Sequence, residues 1–170
     1  MGKVISLRAL KKELAALRAA GRRVVFTNGC FDIIHAGHVR YLRKARSLGD
    51  VLVVGLNSDS SVRAVKGPSR PVVPQAERAE VLAALVPVDY VVIFGEPTPE
   101  KLIRAVVPDV LVKGADWKEG EIVGASVVKA AGGRVARVRL LKGRSTTNII
   151  EKVLALGAAA GRGGRKKGCE

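Results

Sequence analysis

Apolar residues along this chain follow two alternating rhythms. Short Val-, Leu- and Ile-rich runs occupy 24–27, 51–56, 90–94, 110–112 and 134–138, the signature of strands buried on both faces. Between them, 36–48, 75–85, 99–106, 123–131 and 145–156 repeat apolar residues at helical spacing. A leading segment, 6–20, carries Leu7, Leu10, Leu14 and Leu17 on one stripe, with Ser6 placed to cap it and Gly21 to end it. Strands alternating with helices predict an α/β domain, a parallel sheet covered by helices on both sides. The stretch Lys66-Gly67-Pro68-Ser69-Arg70-Pro71 is too rich in breakers for regular structure and reads as a loop. Three parts follow: an amphipathic helix at 1–21, a sheet-forming body at 22–156, and a basic, low-complexity tail at 157–170 expected to be disordered.

In a parallel sheet every strand delivers its carboxyl end to the same edge, where ligands gather. Three clusters of chemistry-bearing residues fall there. The first is His35-Ala36-Gly37-His38, which holds the only two histidines of the chain. It lies where the first strand, after the turn signal Asn28-Gly29, hands over to a helix. Residues three apart share a helix face, so both imidazoles reach one ligand, and Gly37 lets that ligand approach the backbone. They read as two unrelated polar residues, as half of a metal site, or as phosphate ligands. The pair lacks the further Cys or carboxylate ligands that a metal needs, and a helix N-terminus favours phosphate.

The second cluster, Lys142-Gly143-Arg144-Ser145-Thr146-Thr147-Asn148, precedes the last helix. Its hydroxyls serve either as an ordinary helix cap or, with two cations and a glycine, as an anion cradle. Two anion-type sites on one edge point to a polyphosphate. The chain contains no Gly-x-x-x-x-Gly-Lys-Ser/Thr loop, which excludes a P-loop enzyme. The third cluster, Lys113-Gly114-Ala115-Asp116-Trp117, holds the single tryptophan, placed either for core packing or for a polar-ligand pocket.

Composition narrows the class further. The net charge is +15, but nine of those charges lie in residues 1–23 and 157–170. The body is only mildly basic, and its six aromatics form no stripe interleaved with Arg or Lys, so nucleic acid is not the expected partner. No apolar run approaches the ~18 residues of a membrane span, the first twenty residues are too charged for a signal peptide, and Cys30 and Cys169 make no framework spacing. A cytoplasmic protein is expected. The leucine stripe of the first helix either packs on the body or pairs with another subunit, and a homo-oligomer is expected.

Taken together, the residues Thr27-Asn28-Gly29-Cys30-Phe31-Asp32-Ile33-Ile34-His35-Ala36-Gly37-His38, Ser69-Arg70-Pro71-Val72, Val112-Lys113-Gly114-Ala115-Asp116-Trp117 and Ser145-Thr146-Thr147-Asn148-Ile149-Ile150 resemble the cytidylyltransferase-like nucleotidyltransferases. Within them the chain is most similar to the D-glycero-β-D-manno-heptose 1-phosphate adenylyltransferases. The resemblance implies a Rossmann-like, doubly wound sheet of nucleotidyltransferase type over 22–156. It also implies transfer of AMP from ATP to heptose 1-phosphate, with Mg²⁺ and no protein-bound metal site, giving ADP-heptose and pyrophosphate for lipopolysaccharide-core or S-layer glycan synthesis. A separate heptose kinase would supply the acceptor. A CTP-dependent transferase acting on glycerol 3-phosphate, or an FMN adenylyltransferase, is the alternative. The glycerol-phosphate cytidylyltransferases carry an Arg-Thr-x-x-Ile where this chain has Leu140-Leu141-Lys142-Gly143-Arg144, which counts against the cytidylyl branch.

The same resemblance implies residue roles. His35 and His38 contact the triphosphate, with Lys44 and Arg144 as further catalytic cations. Thr27, Asn28, Gly29, Phe31, Gly37, Ser145, Thr146 and Thr147 hold the nucleotide. Asp32, Lys66, Arg78, Lys113, Asp116 and Trp117 face the sugar phosphate.

Overall fold

The computed structural model describes residues 1–141 and 143–163. Six strands, β1 (Lys3–Val4), β2 (Val24–Gly29), β3 (Val51–Asn57), β4 (Tyr90–Phe94), β5 (Val110–Gly114) and β6 (Arg134–Val138), form one sheet in the order β1-β4-β3-β2-β5-β6. Every pairing is parallel. The chain winds outward from β2 through β3 to β4, then returns to place β5 on the other side of β2. The order therefore reverses between β2 and β5, and the crevice at their carboxyl ends is the place for a ligand.

Alternation along the strands divides the core between two faces. Val24 and Phe26 of β2 join one cluster with Leu10 and Leu14 of α1 (Leu7–Ala19), Ile103 and Val106 of α5 (Glu100–Val106) and Val128 of α6 (Ala125–Ala130). Val25 joins the other, with Tyr41 and Leu42 of α2 (Ala36–Arg46) and Leu82 of α4 (Gln75–Ala84). The leucine stripe of α1 thus packs on its own body. Arg18 ties that helix down by donating from Nη2 to the carbonyls of Val106 and Val107. Among the described residues no helix is long and apolar enough to cross a membrane.

Four features depart from the expected pattern. β1 is only two residues long, too short for any periodicity to register, and it adds to the free edge of β4. α3 (Asp59–Lys66) forms within a polar stretch because Ser58 caps it, its hydroxyl accepting from the Ser61 N–H at 3.2 Å, and Gly67 ends it at φ +95°. The strands β2 and β5 run on to Gly29 and Gly114, carrying the ligand loops further over the edge than expected. The last helix, α7 (Thr146–Gly163), continues through residues 157–163, which were expected to lack regular structure, while 164–170 lie outside the described residues.

Candidate active site

A cavity of about 530 Å³ opens at the carboxyl edge of the sheet, over the β2/β5 crevice. The loop after β2 forms its floor. Phe31 sits there at φ 44°, a left-handed conformation that an L-residue adopts at a cost of order 1 kcal/mol. Its ring fills the space that a side chain at position 29 would need, since a Cβ on Gly29 would lie 3.0 Å from it. The same ring meets the His38 imidazole edge to face at 5.2 Å.

His35 is the N-cap of α2, its Nδ1 accepting from the Gly37 N–H at 3.1 Å. That bond places the proton of the neutral ring on Nε2. The His35 and His38 rings stack with centroids 3.9 Å apart, which brings both imidazoles to one wall of the cavity. Burial, and then the neighbouring His35, push the His38 imidazole down to about 4. Burial and Arg144 also lower His35. Near neutral pH the pair is therefore uncharged, and it offers N–H donors rather than cations. A Cβ at position 37 would lie 2.8 Å from His35 Cε1, so glycine is what permits the stack.

The N-terminus of α7 meets this wall from the other side. Thr146 Oγ1 donates to the Ile33 carbonyl at 3.3 Å, joining the two loops. Ser145 Oγ is occupied as a cap, donating to Asn148 Oδ1 and accepting from the Asn148 N–H. Ser145, Thr146, Thr147 and Arg144 all line the cavity. Two helix N-termini and an arginine thus converge on one space, an arrangement that attracts a polyanion. Lys142 lies outside the described residues.

Across the crevice, Lys113 at the end of β5 donates from Nζ to Asn28 Oδ1 at the end of β2, 2.5 Å away. Its Nζ also sits 5.9 Å from the Trp117 ring. Burial lowers the Lys113 ammonium to about 8, against the opposing charge of Asp116. Asn28, Gly29, Phe31, Gly37, Lys66, Lys113, Asp116 and Trp117 all reach the cavity lining.

Four expected site residues stand elsewhere or are already engaged. Thr27 is fully buried, bonded at 2.8 Å to the Tyr41 hydroxyl beneath the floor. Lys44 follows His38 by six residues, which turns it about 120° away on a 3.6-residue helix, and it lies exposed outside the lining. Asp32 reaches the lining, but protein donors saturate its carboxylate: Arg70 Nε at 2.5 Å and the N–H groups of Val72 and Val73. Burial pushes that carboxyl up, and those hydrogen bonds with Arg70 outweigh it and hold it below the usual range. Arg78 is buried at 1 % exposure and spends its guanidinium on Val73 O, Cys30 O and Asp59. Arg78 thus pins the 67–73 loop and the Cys30 turn, while Asp32 holds that loop from the cavity lining.

Tyr41 and Arg70 are among the lining residues that the sequence reading left unassigned. Tyr41 shares the inner face of α2 with His38, a three-residue spacing that signals it, and its hydroxyl also donates to Val112 O at 3.2 Å. Arg70 lies inside a motif already singled out, but only the fold brings it to Asp32. Among the described residues no group of three or more His, Cys, Asp or Glu could hold a metal.

Comparison with known proteins accords with this geometry. Residues 26–152 match the family model described as cytidylyltransferase-like. The chain belongs to the cytidylyltransferase-like family. Within this family it is 58 % identical over 152 residues to the bifunctional protein HldE of Geobacter sulfurreducens, and 56 % identical over 146 residues to that of Syntrophotalea carbinolica. The aligned segments cover 89 % and 86 % of this chain but 31 % and 30 % of those proteins. The chain thus spans about a third of the length of these curated relatives. A solved lipopolysaccharide core biosynthesis protein from Thermoplasma volcanium aligns at a TM-score of 0.60 and 32 % identity, over 73 % of this chain and all of that one. A protein of unknown function from Archaeoglobus fulgidus shares the cytidylyltransferase-like fold, with a TM-score of 0.56 and 23 % identity over 72 % of this chain and 93 % of that one.

Proposed function

We propose that this chain is a nucleotidyltransferase that moves AMP from ATP to a heptose 1-phosphate, releasing pyrophosphate. The observation that carries the reading is the neutral, stacked His35–His38 pair, set where the N-termini of α2 and α7 and Arg144 converge. Support for the sugar acceptor comes from the similarity to HldE and to a lipopolysaccharide core biosynthesis protein. The flanking Asp116 and Trp117 add to it by offering a carboxylate and a ring face to a polyhydroxylated ligand.

In this mechanism an oxygen of the acceptor phosphate attacks the α-phosphorus of ATP in line. A new O–P bond forms as the bond to the β-phosphate oxygen breaks, and pyrophosphate leaves with that electron pair. The acceptor phosphate is largely dianionic near neutrality, since its second pKa is about 6, so no general base is required. The protein aligns two polyanions and stabilises charge as the leaving group departs. His35 and His38 donate N–H bonds to the phosphates around the reacting centre, while Arg144, Thr147 and the backbone N–H groups of α7 receive the β- and γ-phosphates. Mg²⁺ enters as part of the MgATP substrate, bound mainly by phosphate oxygens, as this ion prefers; the donor set of the cavity contains no cage for it among the described residues.

A kinase acting on the sugar must supply the 1-phosphate. The reaction belongs in the cytoplasm, where ATP is available and where Cys30, a free thiol, stays reduced. The test is pyrophosphate release with MgATP across a panel of acceptors. Release with heptose 1-phosphate, and none with glycerol 3-phosphate or FMN, is expected. Release with either of the latter and none with heptose 1-phosphate overturns the assignment.

A further inference from the structure

Two strands frame the crevice, and they pair along only part of their length. β2 pairs with β3 along all six of its residues, Val24 to Gly29, whereas its pairing with β5 covers Val25 with Val110 and Phe26 with Leu111. Carried onward, that register sets Thr27 opposite Val112 and Asn28 opposite Lys113. Side chains join the strands at both of these steps. At the first, the Tyr41 hydroxyl reaches in from α2, 2.8 Å from Thr27 Oγ1 and 3.2 Å from the Val112 carbonyl. At the second, Lys113 donates to Asn28 Oδ1.

A phenol has one proton. Tyr41 gives it to the Val112 carbonyl, so Thr27 donates to the Tyr41 oxygen, and the sense of both bonds is fixed. Burial pushes the phenol up to about 12, against the Thr27 hydrogen bond, which lowers it. It therefore stays a neutral hydroxyl near neutral pH and moves no proton in the reaction. A phenylalanine would fill the same space without burying a polar atom, and hydrogen bonds made in place of bonds to water return little net stability. What the hydroxyl adds is position. His38 precedes Tyr41 by three residues and shares its helix face, while Asn28 and Lys113 each follow a bonded residue by one. One oxygen atom thus ties the helix that carries the histidine wall to the two strand ends that carry the opposite wall.

We infer that Tyr41 is a positioning residue whose hydroxyl sets the separation between the histidine wall and the Asn28–Lys113 wall, and with it the alignment of the two substrates across the crevice. This rests on the reading of the protein as a nucleotidyltransferase and goes beyond it by naming what holds the two halves of the site in register. In-line attack needs reacting atoms about 3–3.5 Å apart, and a misplacement of about 1 Å costs on the order of a hundredfold in rate. The Tyr41 hydroxyl is spent on Thr27 and Val112 and contacts neither substrate, so its loss is read in kcat and not in either KM.

The test compares wild type with Tyr41→Phe and the Thr27→Val/Tyr41→Phe double variant, with folding checked by thermal melting. Tyr90→Phe is the control: it removes the hydroxyl of the other tyrosine, which bonds Glu13 at the amino end of β4. Tyr41→Phe is expected to lower kcat by about tenfold to a hundredfold and to leave the KM for ATP and for heptose 1-phosphate within about twofold of wild type. The double variant also removes the Thr27 hydroxyl that Tyr41→Phe strands, so it should regain part of the lost melting temperature and none of the lost kcat. A kcat that returns together with the melting temperature shows a merely structural role and overturns the inference. So does a rise in either KM at unchanged kcat, which marks a ligand contact. The chain has two histidines, so their Cε1–H signals in the NMR spectrum of the ligand-free protein read the wall without turnover. Tyr41→Phe keeps the aromatic ring, and it should shift the signals of the stacked His35–His38 pair where Tyr90→Phe does not. Unmoved histidine signals in a folded Tyr41→Phe protein overturn the inference. Should wild type show no turnover with heptose 1-phosphate, the functional reading fails, and the histidine signals alone then decide whether Tyr41 positions that wall.

Discussion

His38 stacks on His35 with their planes 22° apart, and its buried Nδ1 finds no hydrogen-bond partner among the described residues. A core histidine is usually satisfied by a carbonyl or a hydroxyl. Among the described residues the ring is held by packing between Phe31 and His35, and in the cavity that His38 lines it is Nε2, not the buried Nδ1, that is left to meet a ligand. Removing one donor aimed at developing charge costs about 10²–10³ in kcat. His38→Ala should lose turnover by that factor while melting within a few degrees of wild type, as measured by pyrophosphate release and calorimetry.

The same enclosure makes stability depend on pH. The His38 pKa falls from 6.5 in the unfolded chain to about 4 in the folded protein, and His35 shifts in the same direction. Between these values the unfolded state binds more protons, so stability decreases as pH falls from about 6.5 towards 4. Asp32 is also depressed, but from 3.8, so its contribution is lost only at still lower pH. A series of thermal melts should show a decline in that upper window for wild type, and a flatter profile for a His35→Gln/His38→Gln double variant.

Gly37→Ala tests the stack without removing either imidazole. The added Cβ would lie 2.8 Å from His35 Cε1 and 2.9 Å from Nδ1, so the His35 ring must swing away and its cap bond must break. A lost N-cap is worth about 1 kcal/mol. The expected result is a modest fall in melting temperature with a disproportionate loss of kcat, read from melts and steady-state rates on the same preparation.

Arg78 should behave in the opposite way. Its side chain is fully buried and engaged by Asp59 and two carbonyls, so Arg78→Met strands those partners. Breaking a buried pair costs roughly 3–5 kcal/mol, enough to lower the melting temperature by about 10 °C in a domain of this size. At a temperature where the variant remains folded, its KM for the acceptor should stay close to wild type.

Much of this architecture was legible because strands buried on both faces give unbroken apolar runs, and β3, buried from Val51 to Asn57, is the clearest case. The histidine pair and the Ser145–Thr147 cradle were legible because both are local: a helix start is written within a few residues. Contacts between distant segments were not. The family resemblance implied sugar-phosphate contacts for Asp32 and Arg78. Only the fold shows that Arg70, Val72 and Val73, about forty positions away, have already claimed Asp32. Lys44 was misplaced for a simpler reason, since helical phase and not proximity in sequence decides which way a side chain faces. Lys113 was recognisable as a candidate, but its tether to Asn28, 85 residues earlier, appears only in three dimensions.

The central claim is that this site joins AMP to a sugar 1-phosphate. The most direct measurement gives the enzyme equal ATP and CTP together with heptose 1-phosphate, then determines the masses of the products. ADP-heptose accumulating in step with pyrophosphate, with no CDP-heptose, is the predicted result. CDP-heptose as the main product, or pyrophosphate release without any nucleotide sugar, would contradict the account.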